Sequence, residues 1–138
     1  MIRRPDEFKR WIDQAENTLA SAEHDKVAGF FNWACFKAHQ CVEFALKAAL
    51  WGNGLSIRGH SLIELFSQIR DNLEIDLSQH IDCLRRLERL YIPTRYADAF
   101  IEGAPHAFFG ENDANEALAC SKEIFASIKE VWAVNDDK

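Results

Sequence analysis

Apolar residues recur every three or four positions along almost the whole 138-residue chain, and the alternation typical of a half-buried strand is nearly absent. An apolar stripe with this spacing lies along one side of a helix and has to be buried against other helices. The predicted helices run from about Pro5 to Ala22, from Lys26 to Trp51, from Ser61 onward, from Leu77 or Ser78 to Tyr91, and from near Asp113 to Ala133. We therefore predict an all-α fold, an up-and-down bundle of four long helices plus a short fifth, with residues 1–138 forming one domain.

Several helix ends carry local signals. Ser61 can cap the third predicted helix, and Glu64 three positions later completes a capping box. Pro93 stops the fourth helix, because proline biases the preceding residue away from helical geometry.

The second predicted helix has bulky residues on both sides, so we expect it to be central. One side contains Val27, Phe31, Ala34, Ala38, Val42, Ala45 and Ala49, and the other contains Asn32, Phe36, His39, Glu43, Lys47 and Leu50. Because the second side is partly polar, it is expected to face a cleft or a second subunit.

The composition excludes some classes of function. A net charge of -6 argues against a broad, non-specific nucleic-acid binder, which needs a basic face. No run of 18 or more apolar residues indicates a membrane span, and the charged N-terminus is not followed by the apolar core of a signal peptide. Cys35, Cys41, Cys83 and Cys120 fall within helical stripes, so we expect buried reduced thiols and a cytoplasmic protein. With no CxxC pair, neither a metal site nor a cofactor is predicted.

Three polar stretches are candidates for a site. His39, Glu43 and Lys47 are spaced four residues apart and lie on one helix face, either as a solvated or interface ion pair or as the lining of a ligand cleft. Arg58 and His60 precede the third helix, where free backbone N–H groups can hold a phosphate. Alternatively, His60 packs this loop onto the bundle.

The third stretch is "YIPTRYADAF", in which Arg95, Tyr96 and Asp98 follow the helix that Pro93 stops. Asp98 can orient Arg95 by an ion pair, and Tyr96 can stack on a base. The alternative is a structural group of side chains that fastens the loop to the helices.

Together these stretches resemble the HEPN family, the higher eukaryotes and prokaryotes nucleotide-binding domain. A pattern like Q-x-x-E-x-x-L-K-A is matched in "QCVEFALKAAL", a loop histidine before a leucine-rich helix in "GHSLIELF", and a tyrosine–arginine–tyrosine helix end in "YIPTRYADAF". Ala97 stands where the family usually has proline. The resemblance implies a helical bundle, homodimerisation, and pairing with a minimal nucleotidyltransferase as a toxin–antitoxin-like module.

Many members of that family are metal-independent ribonucleases with an arginine and a histidine separated by four to six residues. Here ten residues separate Arg95 from His106, and Arg58 is too close to His60. We therefore predict a homodimeric module that binds nucleotide or RNA phosphate without catalysis. Two alternatives stay open: a ribonuclease with a non-standard arrangement, such as Arg95 of one chain near His60 or His106 of another, and a purely structural scaffold.

Overall fold

The computed structural model describes residues 2–136, with side chains through residue 134. Within this range the chain forms α1 (Pro5–Ala28), α2 (Phe31–Gly52), α3 (Leu62–Asn72), α4 (Ile81–Glu88) and α5 (Glu111–Asp136), with 3-10 turns at Ser78–His80, Ala97–Ala99 and Pro105–Ala107. No strand occurs between residues 2 and 136, and the predicted all-α bundle is confirmed. None of the helices in the described range has both the length and the apolarity that crossing a bilayer requires.

The junction between α1 and α2 differs from the prediction. α1 continues past its predicted end at Ala22, and α2 begins at Phe31 rather than at Lys26. The break is at Gly29, whose φ of 85° is left-handed and whose N–H donates to the Lys26 carbonyl (3.1 Å). Val27, expected on a buried stripe of the second helix, is instead 83% exposed on α1.

α2 is the central helix, as predicted: it packs along α1 and α5 and also contacts α3 and α4. Small buried side chains allow the close approach of its neighbours, namely Ala34, Ala38, Ala45, Ala48 and Ala49. At its C-terminal end a Cβ on Gly52 would lie 2.9 Å from atoms of both Phe8 and Trp132, so a larger residue there would collide with α1 and α5.

The start of α3 is capped from two directions. The Ser61 Oγ accepts a hydrogen bond from the Glu64 N–H (3.2 Å), as predicted. The Glu64 carboxylate does not complete the capping box, because it accepts a hydrogen bond from Gln68 instead. A carboxylate from α4, that of Glu88, accepts hydrogen bonds from the N–H groups of Leu62 (2.5 Å) and Ile63 (3.2 Å).

α4 is shorter than predicted and ends at Glu88 instead of Tyr91. The N–H of Leu90 already bonds to the carbonyl three residues earlier (3.0 Å), and Pro93 has no N–H with which to continue a helix. Tyr91 and Arg95 therefore lie on a turn segment that α4 positions.

The cysteines are of two kinds. Cys35 and Cys41 are buried free thiols, and burial raises the pKa of Cys35 to about 12 and that of Cys41 to about 11. Cys83 on α4 and Cys120 on α5 form a disulfide, with their Cα atoms 5.3 Å apart. The prediction of four reduced thiols is wrong for this pair, because the packing of α4 on α5 brings together residues 37 positions apart.

Candidate functional site

The ring of Tyr91 is where the three predicted polar stretches meet. His60, from the loop before α3, stacks on it with ring centres 5.1 Å apart and planes inclined by 18°. His39 of α2 approaches it at 5.0 Å, and the Arg95 guanidinium carbon lies 4.4 Å from its centre. The structure therefore brings α2, the α2–α3 loop and the segment after α4 into one cluster, which we call the Tyr91 cluster (His39, Glu43, His60, Tyr91 and Arg95).

Arg95 is held by its own turn and by aromatic rings. Its Nε and Nη2 donate to the Tyr91 carbonyl (2.9 and 2.7 Å), and its Nη1 donates to the Tyr96 hydroxyl (3.4 Å). The guanidinium carbon also lies 4.2 Å from the Phe36 ring centre and 4.8 Å from that of Tyr96. A guanidinium has five N–H donors, so these three bonds leave part of its edge for an anion.

The predicted ion pair between Arg95 and Asp98 is not formed. Asp98 is exposed on the 3-10 turn Ala97–Ala99, and no carboxylate of the described side chains lies within ion-pair distance of Arg95. A backbone carbonyl and a phenol orient the guanidinium instead. Its positive charge is consequently uncompensated at a half-buried position, next to a Tyr96 side chain that is 47% exposed.

Glu43 lies at the base of the cluster and binds two partners. Lys47 Nζ is 3.0 Å from its Oε2, and His60 Nδ1 is 3.1 Å from its Oε1. Glu43 is 1% and Lys47 7% exposed, so the interpretation as a solvated pair is wrong. A buried carboxylate needs compensation from charge and hydrogen bonds, and these two partners supply it while fixing the orientation of the exposed His60 ring.

His39 supports the cluster from inside the bundle. It is fully buried, its Nδ1 lies 3.0 Å from the Gln40 Oε1, and its Nε2 has no hydrogen-bond partner. Burial lowers its pKa, although the hydrogen bond to Gln40 and the charges of Glu43 and Glu88 act in the opposite direction. His39 is thus a neutral ring that packs beneath Tyr91, out of reach of a ligand at the surface.

The start of α3 does not offer the free donors that the sequence indicated. The Glu88 carboxylate occupies the N–H groups of Leu62 and Ile63, and the Ser61 hydroxyl occupies that of Glu64. A carboxylate in this position would also repel a phosphate. Arg58 is exposed and lines a separate cavity together with Lys47 and His60.

His106 is exposed on the 3-10 turn Pro105–Ala107 and is not a member of the Tyr91 cluster. The Arg95 guanidinium carbon lies 4.4 Å from the centre of the Tyr91 ring, and the centre of the His60 ring lies 5.1 Å from it. Arg95 and His60 of one chain are therefore separated by less than the sum of these two distances.

Among the described residues, no group of three or more His, Cys, Asp and Glu side chains is arranged to hold a metal ion.

The sequence matches the HEPN domain over residues 8–131, which includes every member of the Tyr91 cluster. The chain belongs to the HEPN domain family. The resemblance read from the motifs is thereby confirmed.

The chain is also similar to several named proteins, one of which is described as a HEPN homologue. "Putative toxin MJ1304" of Methanocaldococcus jannaschii is 26% identical over 130 residues, which cover 88% of this chain and 86% of that protein. The crystal structure of TT1696 from Thermus thermophilus is 31% identical with a TM-score of 0.83, covering 89% of this chain and 96% of that one. ST0689, an archaeal HEPN homologue, is 35% identical with a TM-score of 0.74, covering 94% and 98%.

Sequence reasoning included Tyr91 in the family-like tyrosine–arginine–tyrosine motif but did not identify it as the centre of the cluster, and it did not identify Glu88 as the cap of α3. The apolar spacing predicts Tyr91 only as a member of an inward stripe, yet its distance of four residues from Arg95 is a usable signal for a ring beneath a guanidinium. Glu88 carries no signal of its own, because its role depends on the packing of α4 against α3.

Proposed function

We propose that this HEPN domain is the toxin-like member of a toxin–antitoxin pair. It acts as a homodimer, binds nucleotide or RNA phosphate, and has a minimal nucleotidyltransferase as its partner. Support comes from the family membership and from the toxin name of the M. jannaschii relative. The proposal includes a cytoplasmic location, which now rests on the proposed RNA ligand and no longer on four reduced thiols, because Cys83 and Cys120 are paired.

The observation that carries the binding proposal is the uncompensated guanidinium of Arg95 beside the exposed ring of Tyr96. A phosphate would bind the free N–H edge of Arg95, and a base would stack on Tyr96. The chain has a net charge of -6, which does not attract nucleic acid in general. The proposed binding therefore depends on the local contact that the Arg95 guanidinium makes with one phosphate. His60, held by Glu43, lies on the same ring as Arg95 and would make a second contact with the ligand.

Binding of a short fluorescent RNA and of ATP to the purified protein tests this proposal. Arg95→Ala should weaken RNA binding about tenfold, because a charge-assisted contact is lost. Arg70→Ala is the matched control, since Arg70 is exposed on α3 and pairs with Asp71. If neither RNA nor ATP binds at submillimolar concentration, or if both variants behave alike, the binding proposal is wrong.

The homodimer is supported by exposed apolar residues near the start of α2 and the turn segment after α4. Asn32 donates to the Thr94 carbonyl (3.0 Å) and so joins these two segments. Beside them Phe30 is 57%, Trp33 42% and Ile92 49% exposed. Ile92→Glu should shift the protein from dimer to monomer in light scattering. A wild-type protein that is monomeric at all concentrations would refute the dimer.

A second candidate function, a metal-independent ribonuclease, is favoured by the approach of Arg95 and His60 to one ring. The guanidinium would stabilise the charge on a phosphate, and the imidazole would transfer a proton at the 2′-hydroxyl or the leaving oxygen. Incubation with total RNA in the presence of EDTA tests it. Cleavage that Arg95→Ala and His60→Ala both abolish supports the enzyme, and intact RNA after incubation with the wild-type protein excludes it.

A further inference from the structure

The disulfide between Cys83 and Cys120 joins the first turn of α4 to the first half of α5. Cys120 is buried, whereas Cys83 is only partly buried. A disulfide is reduced when an external thiol reaches one of its two sulfurs, so exposed bonds are the ones that exchange. Cys83 is therefore the residue that an incoming thiol meets first.

A carboxylate lies beside this bond. Glu123 is one turn after Cys120 on α5, and its Oε2 is 3.6 Å from Cys83 Sγ. Its Oε1 is 3.7 Å from the Nδ1 of the buried His80, whose other ring nitrogen is held by the Ser127 hydroxyl at 2.7 Å. The Glu123 side chain is 57% exposed and so contacts solvent as well. A carboxylate in this place can take a proton from an incoming thiol and return it to a departing one.

The helix that carries Cys83 is only lightly anchored. α4 has eight residues, and its buried side chains are those of Leu84 and Leu87. Glu88 binds the start of α3 from the last residue of α4, and the disulfide fastens the other end. Short helices with few buried side chains open locally at a lower free energy than the whole bundle. Reduction can therefore loosen this end of α4 while the rest of the bundle stays folded.

We propose that Cys83 and Cys120 are a reversible redox pair, reduced by a dithiol in the folded protein, with Glu123 as the proton-transfer group. Glu123 takes the proton of the first thiol while its sulfur bonds to Cys83 Sγ and the disulfide breaks. Cys120 leaves as a thiolate and receives that proton. The second thiol of the reductant then attacks the mixed disulfide, and Cys83 leaves with the second proton.

Two electrons thus pass from the dithiol to the two cysteines, and the reductant becomes a disulfide. The reaction releases the N-terminal end of α4 from α5. This inference does not depend on RNA binding at Arg95.

Reduction of the native protein by dithiothreitol tests the proposal. Samples are quenched with excess N-ethylmaleimide in denaturant, and mass spectrometry counts the labels. The oxidised chain takes two labels, on Cys35 and Cys41, and the reduced chain takes four. We expect a rate proportional to the dithiothreitol concentration, and a return to two labels when oxidised dithiothreitol replaces it. A rate independent of dithiothreitol would mean that reduction waits for global unfolding, and this would overturn the proposal.

Glu123→Gln locates the proton transfer. It should slow reduction by dithiothreitol at least about tenfold. Glu130→Gln is the matched control, because Glu130 lies ten positions after Cys120, about 15 Å along α5, and its rate should equal that of the wild type.

A neutral phosphine, tris(3-hydroxypropyl)phosphine, separates chemistry from structure. It brings no thiol proton, so it should reduce Glu123→Gln and the wild type at the same rate. A slower phosphine reaction in the variant would indicate a structural effect. A faster dithiothreitol reaction in the variant would show that the carboxylate only repels thiolates. Either result would exclude Glu123 as the proton-transfer group.

Hydrogen exchange shows whether the disulfide holds α4. Reduction should speed exchange of the Leu84 and Leu87 amides at least about tenfold and leave that of Ala45 on α2 unchanged. The Cys83→Ser/Cys120→Ser variant should exchange at the faster rate with or without dithiothreitol. Equal exchange of the α4 amides in the oxidised and reduced chains would refute the release of α4.

Discussion

The carboxylate of Glu88 on α4 lies over the first turn of α3 and accepts a hydrogen bond from the backbone N–H of Leu62 at 2.5 Å. A second bond from Ile63 completes the contact. Since His60 precedes α3 and Tyr91 follows α4, this bond fixes the two segments whose rings stack in the Tyr91 cluster. One α4 side chain thus joins the start of α3 to the segment that carries Tyr91.

Glu88→Ala should lower the free energy of unfolding by about 1–3 kcal/mol, because it leaves two N–H groups at a helix start without their acceptor. Urea denaturation measures the change. Glu102→Ala, in the exposed loop before α5, is the control and should stay within about 0.5 kcal/mol of the wild type. A Glu88→Ala protein as stable as that control would show that the contact contributes nothing.

The buried pair of Glu43 and Lys47 should behave as a coupled unit. Either Glu43→Gln or Lys47→Met alone should destabilise the protein by about 3–5 kcal/mol, since each leaves a buried partner uncompensated. The double variant should be more stable than the sum of the two single effects predicts. Denaturation of all four proteins in the cycle gives the coupling energy, and strictly additive effects would contradict the pairing.

Stability should fall on acidification because of His39. Burial lowers its pKa in the folded protein, so below a pH of about 6.5 the unfolded chain binds a proton that the folded chain does not. The free energy of unfolding is therefore highest above the ordinary histidine pKa. It decreases as the pH falls from there toward the lower pKa that His39 has in the folded protein. Glu43, Glu88 and His60 also face His39, so the measurement compares the pH dependence of the free energy of unfolding with that of His39→Gln. The variant should have the shallower slope between pH 7.5 and 5.5, and identical slopes would refute this origin.

The disulfide between Cys83 and Cys120 should stabilise the protein by roughly 3–4 kcal/mol, because it closes a loop of 37 residues in the unfolded chain. Adding dithiothreitol should therefore lower Tm. The Cys83→Ser/Cys120→Ser double variant should have the lower Tm already and be insensitive to reductant. A wild-type Tm that does not respond to complete reduction, checked by thiol titration of the denatured protein, would contradict this expectation.

The five α-helices could be predicted, because the helical spacing of apolar residues persists through each of them. Tertiary packing only buries the apolar faces that this spacing creates. The break between α1 and α2 was misplaced for a local reason. The stretch "SAEHDKVA" has no helix-breaking residue, so the helix continues until Gly29 allows a left-handed turn. Capping by Ser61 was predictable because it depends on neighbours in sequence.

Several members of the Tyr91 cluster could be named from the sequence, but their arrangement could not. Arg95, His60 and Glu43 were recognisable as polar groups in unusual places, whereas their meeting at Tyr91 depends on how α2, α3 and α4 pack. The replacement of Asp98 by a backbone carbonyl as the partner of Arg95 has the same origin, since the 3-10 turn carries Asp98 outward. The Cys83–Cys120 bond likewise follows from packing across a long separation.

The crowding at Gly52 has a practical consequence. The Arg4 N–H donates to the Gly52 carbonyl (2.7 Å), and Phe8 stacks on Trp132. The N-terminal end of α1 therefore lies beside the C-terminal part of α5. Phe36, which contacts Arg95, lies sixteen positions before Gly52 on α2, or about 24 Å along the helix. A tether attached near Arg4 or near Trp132 would anchor the molecule to a sensor surface by the same end of the bundle, with the guanidinium facing the solution.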